Sequence, residues 1–204
     1  MRQFVRTSVP TEKYQEVKKV GERYVCHFEP VEDKEVGVMK CYECIVAEEP
    51  DMEALRADLA TWKAYLSQKE LELAKKSKIK EVLEYDVSPN VNSFTITKNG
   101  EKVTDYWIDA QTRATLGGAV RSAVAVGKTV YNFDVRELGI TLPLNCEKFL
   151  AALNVLEDYA CQSYNKTSQH IANINALESV EAVSEYDYSS GYPEKKTFEV
   201  TELY

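Results

Sequence analysis

The sequence predicts an α+β fold, in which strand-forming and helix-forming stretches occupy separate parts of the chain. Residues 91–108 predict a β-hairpin, because strand-like runs flank Asn99-Gly100, a pair that strongly favours a tight hairpin turn. Apolar residues recur every three or four positions in residues 51–66 and 145–174, which is the spacing of one helix face.

Residues 1–50 predict a small β-hairpin unit. Two strand-like runs, at residues 23–28 and 36–46, are separated by an acidic stretch at residues 29–34 that is typical of a turn. The N-terminal unit is therefore expected to contain these two strands and a fairly long loop.

Residues 51–85 predict a long helix that connects this unit to the rest of the chain. Asp51 is the predicted N-cap. Residues 68–80 are mostly charged, as expected for a solvated connector. The first half of the helix carries one apolar stripe, made of Met52, Leu55, Leu59, Trp62 and Leu66.

Residues 86–204 predict a second, α+β domain that begins with the hairpin. Gly117 and Gly118 lie inside a predicted helix, which indicates a close approach of another backbone or a kink. After the hairpin, the sequence predicts a helix capped by Asp109, strands at 128–133 and 139–144, the longest helix from Asn145, a short helix at 179–186 and a strand at 196–200.

The helix that begins at Asn145 is predicted to pack along its whole length, in part against another subunit. His170 carries no catalytic motif around it, so it is expected at the surface or in a subunit contact. The predicted packed stripe consists of Phe149, Leu153, Leu156, Ala160, Tyr164, Thr167, Ile171 and Ile174.

The charge balance argues against nucleic acid and membranes as partners. The chain has 33 acidic and 25 basic residues, a formal net charge of −8 that repels phosphate and anionic lipid. Its beginning lacks the basic and then apolar layout of a signal peptide, so synthesis in a cytoplasm is expected.

The five cysteines predict free thiols, because an odd number without an export signal does not suit a disulfide framework. Cys41 and Cys44 are three residues apart on a predicted strand, so they should point to opposite faces. A metal-binding or redox site made of Cys26, His27, Cys41 and Cys44 stays open as an alternative, although a closed zinc site needs four converging ligands.

The sequence contains no recognisable set of nucleophile, base and cofactor loop, so a protein without catalytic activity or cofactor is expected. Thirteen of its 21 aromatic residues are tyrosines, which suit protein interfaces and half-buried strands equally. The predicted partner contacts, which could instead close the core of this chain, are Trp62, Tyr65, Leu66, Tyr186, Tyr188, Tyr192 and Pro193.

Six stretches of the chain carry a resemblance to a known family: residues 40–44, 91–94, 106–116, 156–159, 164–170 and 182–195. Together they resemble a domain of unknown function found in phages and prophages, often encoded near tail-fibre and baseplate genes and common in phages of gut anaerobes. The resemblance covers most of residues 36–200, and the family has no assigned activity, so it carries over no catalytic residue.

This resemblance implies a structural or assembly protein of the phage tail or virion that acts through protein–protein contacts. The implied partners are tail, tail-fibre or baseplate proteins, with a homo-oligomer expected and with assembly in the bacterial host cytoplasm. An alternative within the same class is a tail-fibre assembly chaperone that is absent from the mature virion.

Overall fold

The computed structural model describes residues 2–135 and 139–204 and confirms the α+β class. The chain divides into two compact units, Met1–Leu73 (unit 1) and Ala74–Tyr204 (unit 2). The boundary falls inside helix α1 (Met52–Asp86). The predicted connector, residues 51–85, therefore contributes to both units instead of forming a segment of its own.

Unit 1 contains a four-stranded antiparallel sheet, two strands more than predicted. The two edge strands were not predicted from the sequence. Strand β3 (Arg23–Asp33) also continues through most of the stretch at 29–34 that was predicted as a turn. It can do so because a β-bulge lies between Phe28 and Val31, with Glu29 at φ +49°, and pairing with the neighbouring strand resumes after it. In spatial order the strands are β1 (Val5–Pro10), β4 (Val38–Val46), β3 (Arg23–Asp33) and β2 (Val17–Val20).

One face of this sheet packs against the first turns of α1. Asp51 caps the helix as predicted, because its Oδ1 accepts hydrogen bonds from the backbone N–H of Glu53 and Ala54 at 3.0 and 3.1 Å. The buried core of unit 1 consists of Phe4, Cys26, Phe28, Cys44, Leu55 and Leu59.

Unit 2 combines the second half of α1 with small sheets and three further helices. The predicted elements are all found, and α1 with 35 residues, not α3 with 31, is the longest helix. The elements of unit 2 are β5 (Phe94–Lys98), β6 (Glu101–Tyr106), α2 (Ala110–Ala125), β7 (Val130–Val135), β8 (Ile140–Asn145), α3 (Cys146–Ala176), α4 (Val180–Glu185) and β9 (Thr197–Glu199).

The β5–β6 hairpin turns at Asn99 and Gly100, whose φ angles are +53° and +79°. Strand β9 pairs in parallel with the other edge of β5. The Glu199 carboxylate accepts hydrogen bonds from the backbone N–H of Asn99 and Gly100 and from the Thr97 and Thr201 hydroxyls, at 2.9 to 3.1 Å. These bonds, led by that of Gly100, lower the pKa of Glu199 to about 2.

Over its second half, helix α3 confirms the predicted stripe only in part: Thr167 and Ile174 are buried as predicted, whereas Ser163 and His170, not Tyr164 and Ile171, complete the buried face. Tyr164 is 68% exposed, and the buried positions there are Ser163, Thr167, His170 and Ile174. The expected surface position of His170 is therefore wrong, since only 2% of this residue is exposed. Polar residues can occupy this face because other parts of unit 2 supply their hydrogen-bond partners.

The adjacent glycines of α2 do not mark a close backbone approach, contrary to the expectation. A Cβ added at Gly118 would meet no atom within 4 Å. One added at Gly117 would have the Arg121 guanidinium as its nearest neighbour, at 3.2 Å. The described helices include none that is both long and apolar enough to cross a membrane.

Candidate protein-binding surface

Unit 1 contains an open groove of about 570 Å³ beside the first half of α1. The segment leading into β1 forms one wall, α1 forms another, and Tyr42 of β4 contributes between them. Its lining residues are Gln3, Phe4, Val5, Arg6, Tyr42, Trp62, Lys63, Leu66, Ser67 and Glu70. The predicted contact residues Trp62 and Leu66 thus lie in one groove.

Trp62 and Tyr65 form a stacked pair on α1. Their ring centroids are 5.6 Å apart with an interplanar angle of 23°. The Trp62 indole N–H donates to the Phe4 carbonyl oxygen at 3.1 Å, which anchors the chain entering β1 to the helix. Lys69 lies over the Tyr65 ring at 5.8 Å. Tyr65 nevertheless stays 41% exposed, so the pair offers an aromatic surface that is fixed on one side.

Two basic side chains converge on Tyr42 in the same groove. Arg6 donates from Nε and Nη2 to the Tyr42 hydroxyl oxygen at 3.1 and 3.0 Å. The Lys63 ammonium lies 5.6 Å from the centroid of the Tyr42 ring and pairs with Glu29 at 2.8 Å. The groove therefore combines ordered aromatic rings with ordered cations, a mixture that is common at protein-binding hot spots.

The sequence analysis did not find Arg6, Tyr42 and Lys63. Arg6 could not be placed because residues 5–10 were not predicted as a strand. Tyr42 is in register with Arg6 across β1 and β4, a pairing that becomes visible only when the sheet order is known. Lys63 follows Trp62 directly in the sequence, so helical spacing alone gave no reason to place it in the groove.

The second predicted contact region, the tyrosine-rich turn after α4, is half-buried rather than exposed. The Nε2–H of His170 donates to the Ser190 carbonyl oxygen at 3.0 Å, since a carbonyl can only accept. Nδ1 of His170 then accepts from the Tyr186 hydroxyl at 2.8 Å. Asn173 donates to the same hydroxyl oxygen at 3.1 Å. Burial lowers the pKa of His170, in keeping with this neutral form.

Tyr192 is held in the same cluster through a chain of hydroxyl groups. Thr167 donates to the Asp86 carboxylate at 2.6 Å, so the Tyr192 hydroxyl donates to Thr167 at 2.9 Å. Its ring lies 5.5 Å from that of Tyr85 and 5.6 Å from His170. The phenol is therefore fully engaged within unit 2.

The other two residues of the turn are also half-buried. The ring of Tyr188 meets the edge of Tyr85 at 5.7 Å, and the Lys78 ammonium lies 5.5 Å from it. Pro193 lines a shallow polar groove of about 440 Å³ together with Gly191. These own-chain contacts favour a packing role for the turn, the alternative that the sequence had left open.

The cysteine and histidine side chains of unit 1 lie on both faces of the sheet instead of converging. Cys26 and Cys44 are directly opposite each other on the face that packs on α1. His27 is adjacent to Cys26, and Cys41 lies three residues before Cys44, so both point to the other face, as the alternation of a strand requires. Within the described part of the chain, no three His, Cys, Asp or Glu side chains are grouped to hold a metal ion.

Burial makes the thiols of unit 1 poor nucleophiles. It raises the pKa of Cys44 to about 11 and also raises the pKa of Cys26 and Cys41. His27 is held between the Gln15 carbonyl oxygen and the Glu43 carboxylate, at 2.6 and 3.1 Å. This geometry disfavours the metal-binding or redox alternative.

Comparisons of the chain with protein-family models, with curated proteins and with solved structures found no match.

Proposed function

We propose that this protein is a structural or assembly protein of a phage tail and acts without catalysis, by binding another tail protein through the groove of unit 1. The observation that carries the proposal is the stacked Trp62–Tyr65 pair, in which Trp62 lines the groove together with Arg6 and Lys63. Trp, Tyr and Arg are the residue types that contribute most to protein-binding hot spots.

The phage context comes from the sequence resemblance, and the groove supports the mode of action. The proposed partners are tail, tail-fibre or baseplate proteins, met in the bacterial cytoplasm during assembly. A permanent virion component and an assembly chaperone would use the same groove. They differ in whether the protein stays in the particle.

Site-specific photocrosslinking in phage-producing cells tests the proposal. A photoreactive phenylalanine analogue replaces Tyr65 in one variant and Tyr164 in a control. Tyr164 is a suitable control because it is 68% exposed on α3, in unit 2. We expect the position 65 probe, and not the position 164 probe, to capture a tail, tail-fibre or baseplate protein identified by mass spectrometry.

The location of the crosslinked product separates the two roles. Product in purified virions supports a structural component, and product confined to the lysate supports a chaperone. Capture of a protein unrelated to the tail, or equal capture from both positions, would contradict the proposal.

Substitution at the same positions gives an independent measurement on the captured partner. Tyr65→Ala is expected to weaken binding roughly tenfold or more, as truncation of a hot-spot aromatic does. Tyr164→Ala is expected to leave binding unchanged. Equal melting temperatures of the two purified variants would show that the difference in binding affinity does not come from a loss of folding.

A further inference from the structure

Strand β1 lies at one edge of the unit 1 sheet, where part of its backbone has no neighbouring strand. Among residues 2–135 and 139–204, the sheet places β4 on one side of β1 and no strand on the other. A free strand edge presents N–H and C=O groups that form a template for pairing with another strand. The chemical complement of this edge is therefore the backbone of a further strand.

The register of the β1–β4 pair shows which residues of β1 face this free edge. The Thr11 N–H donates to the Gly37 carbonyl oxygen at 3.0 Å, in register with the pairs of β1 and β4. Bonded residues alternate along an antiparallel pair, so the odd-numbered residues of β1 bond β4 and the even-numbered residues face outward. The outward residues of β1 are Arg6, Ser8 and Pro10.

The residue before β1 follows the same alternation. The Phe4 carbonyl oxygen accepts from the Trp62 indole N–H at 3.1 Å, so it is directed away from β4 and is already bonded. Pro10 has no N–H to donate. Arg6 and Ser8 are thus the residues of the edge that offer both an N–H and a C=O to another strand.

The opposite edge of the same sheet carries a device against pairing that β1 lacks. Strand β2 contains Lys18 and Lys19, and lysines on an edge strand oppose the approach of another strand. The one charged residue of β1 is Arg6, whose guanidinium is held on the Tyr42 hydroxyl oxygen by hydrogen bonds of 3.1 and 3.0 Å. The apolar Val5 of β1 is 64% exposed.

A second copy of β1 is complementary to this edge in one antiparallel register. When Thr7 lies on a two-fold axis, Arg6 of each copy is opposite Ser8 of the other, and the two residues exchange backbone hydrogen bonds. The same axis places Val5 opposite Val9 and Thr7 opposite its own copy. Such cross-strand pairs of β-branched residues stabilise a sheet.

Registers shifted by two residues are less favourable. One shift places Arg6 opposite Arg6 of the second copy, and like charges directly opposite each other destabilise a sheet. The other shift places Arg6 opposite Pro10, which cannot donate to it. In the favoured register Pro10 is opposite Phe4, whose carbonyl oxygen already accepts from Trp62, so that oxygen is not left without a donor.

We propose that β1 pairs with β1 of a second copy of this chain, so that two four-stranded sheets join into one sheet across a two-fold axis at Thr7. This contact uses the backbone of the strand edge, whereas the groove of unit 1 uses side chains. The inference does not rest on the proposed role in a phage tail.

Disulfide trapping of the full chain tests the contact and its register. In Thr7→Cys the two thiols meet at a non-hydrogen-bonded pair, where Cα atoms are about 4.5 Å apart and a disulfide can form. Val5→Cys is the matched control, because Val5 is more exposed but would lie roughly 14 Å from its copy. Both variants also carry Cys161→Ser, which removes the exposed native thiol.

We expect Thr7→Cys to become a covalent dimer in a glutathione redox buffer, in which glutathione disulfide oxidises the thiol pair. Val5→Cys should stay monomeric under the same conditions. Mass spectrometry of the unreduced protein distinguishes the two products.

Sedimentation of the chain with its native cysteines measures the strength of the contact. A pairing of this length is small, so we expect a dissociation constant of the order of 100 μM. Ser8→Pro removes an outward N–H without breaking a bond to β4, and should weaken association roughly tenfold or more.

Val17→Pro is the matched control for this substitution. The His27 N–H donates to the Glu16 carbonyl oxygen at 2.8 Å, so the next residue, Val17, directs its N–H to the free side of β2. Val17→Pro should leave association unchanged. Equal melting temperatures of the two proline variants would show that both are folded.

Four outcomes would overturn the inference. The first is a chain that stays monomeric at submillimolar concentration while Thr7→Cys forms no disulfide. The second is equal trapping of Val5→Cys, which would show a contact without this register. The third is association that Ser8→Pro leaves unchanged, which would place the contact on another surface. The fourth is photocrosslinking from position 8 to a different protein instead of a second copy, which would assign the edge to a foreign strand.

Discussion

The aromatic groove of unit 1 and the tyrosine turn of unit 2 look alike in the sequence but differ in the structure. Beside the groove, Tyr65 is 41% exposed, and its ring meets the ring of Trp62 and the Lys69 ammonium. In the turn, the hydroxyls of Tyr186 and Tyr192 have hydrogen-bond partners in the same unit. The difference shows that the surroundings of a tyrosine, more than its presence, determine whether its ring is packed within its own unit or left exposed.

The largest expected effect comes from breaking the tyrosine turn at its centre. His170→Ala removes a buried ring, leaving the Ser190 carbonyl without its donor and the Tyr186 hydroxyl without its acceptor. We expect a loss of about 3 kcal/mol in the free energy of unfolding. Denaturant unfolding in a Trp62→Phe background measures it, because Trp107 then reports on unit 2 alone.

The matched variant beside the groove is Tyr65→Ala, which removes the ring stacked on Trp62. Its expected loss of stability is about 0.5 kcal/mol or less, since it shortens a partly exposed side chain. Denaturant unfolding in a Trp107→Phe background measures this loss, because Trp62 then reports on unit 1 alone. Losses of similar size for the two variants would show that groove and turn are equally structural and would remove the distinction between them.

A smaller effect is expected from the backbone of the tyrosine turn. Gly191 has φ +78°, and a Cβ added there would lie 2.6 Å from Cε of Lys166. Because the lysine side chain can move away, most of the cost of the substitution comes from the left-handed backbone conformation. Gly191→Ala should therefore lower the free energy of unfolding by about 1–2 kcal/mol.

Gly118→Ala is the control for this substitution. Gly118 lies inside α2 with nothing within 4 Å of an added Cβ, so alanine should stabilise unit 2 by about 0.5–1 kcal/mol. Thermal unfolding of both variants gives the comparison. A neutral Gly191→Ala would mean that the turn is not held as tightly as the contacts of Tyr186 and Tyr192 indicate.

The smallest expected effect is a change in stability at acid pH, and it is confined to unit 2. The pKa of Glu199 is about 2 in the folded protein against an ordinary value of 4.5. Its stabilising contribution is therefore complete above about pH 4.5 and is lost as the pH falls toward 2. Glu199→Gln should lower stability at neutral pH and flatten this part of the pH profile.

Stability measured from pH 7 to pH 2 by Trp107 fluorescence, in the Trp62→Phe background, tests the role of Glu199. Glu202→Gln removes an exposed carboxylate three residues further along the chain and is expected to keep the original profile. An unchanged profile in Glu199→Gln would show that the hydrogen bonds of Glu199 to the hairpin turn do not contribute to acid sensitivity.

Features governed by neighbouring residues were predictable from the sequence. Asp51, Asp109 and Asn145 cap helices because a short polar side chain can reach the free N–H groups of the next turn. Asn99-Gly100 forms the hairpin turn because both residues tolerate positive φ. Such local preferences need no knowledge of the rest of the fold.

Features governed by distant partners were not predictable in the same way. Strand β1 pairs with the distant strand β4, from Val5 opposite Glu43 to Pro10 opposite Val38, and its own sequence mixes polar and apolar residues. The buried face of α3 includes Ser163 and His170, which apolar periodicity cannot identify. The groove of unit 1 depends on β1 and was therefore found only in part.

The parallel pairing of β9 with β5 has a consequence for synthesis on the ribosome. Glu199 bonds a hairpin turn that lies 100 residues earlier in the chain. At roughly 5–20 residues per second, the emerged hairpin waits about 5–20 s for its third strand. During that delay one edge of β5 is open to pairing with another nascent chain. Translation speed over the second half of the coding sequence thus becomes a determinant of yield.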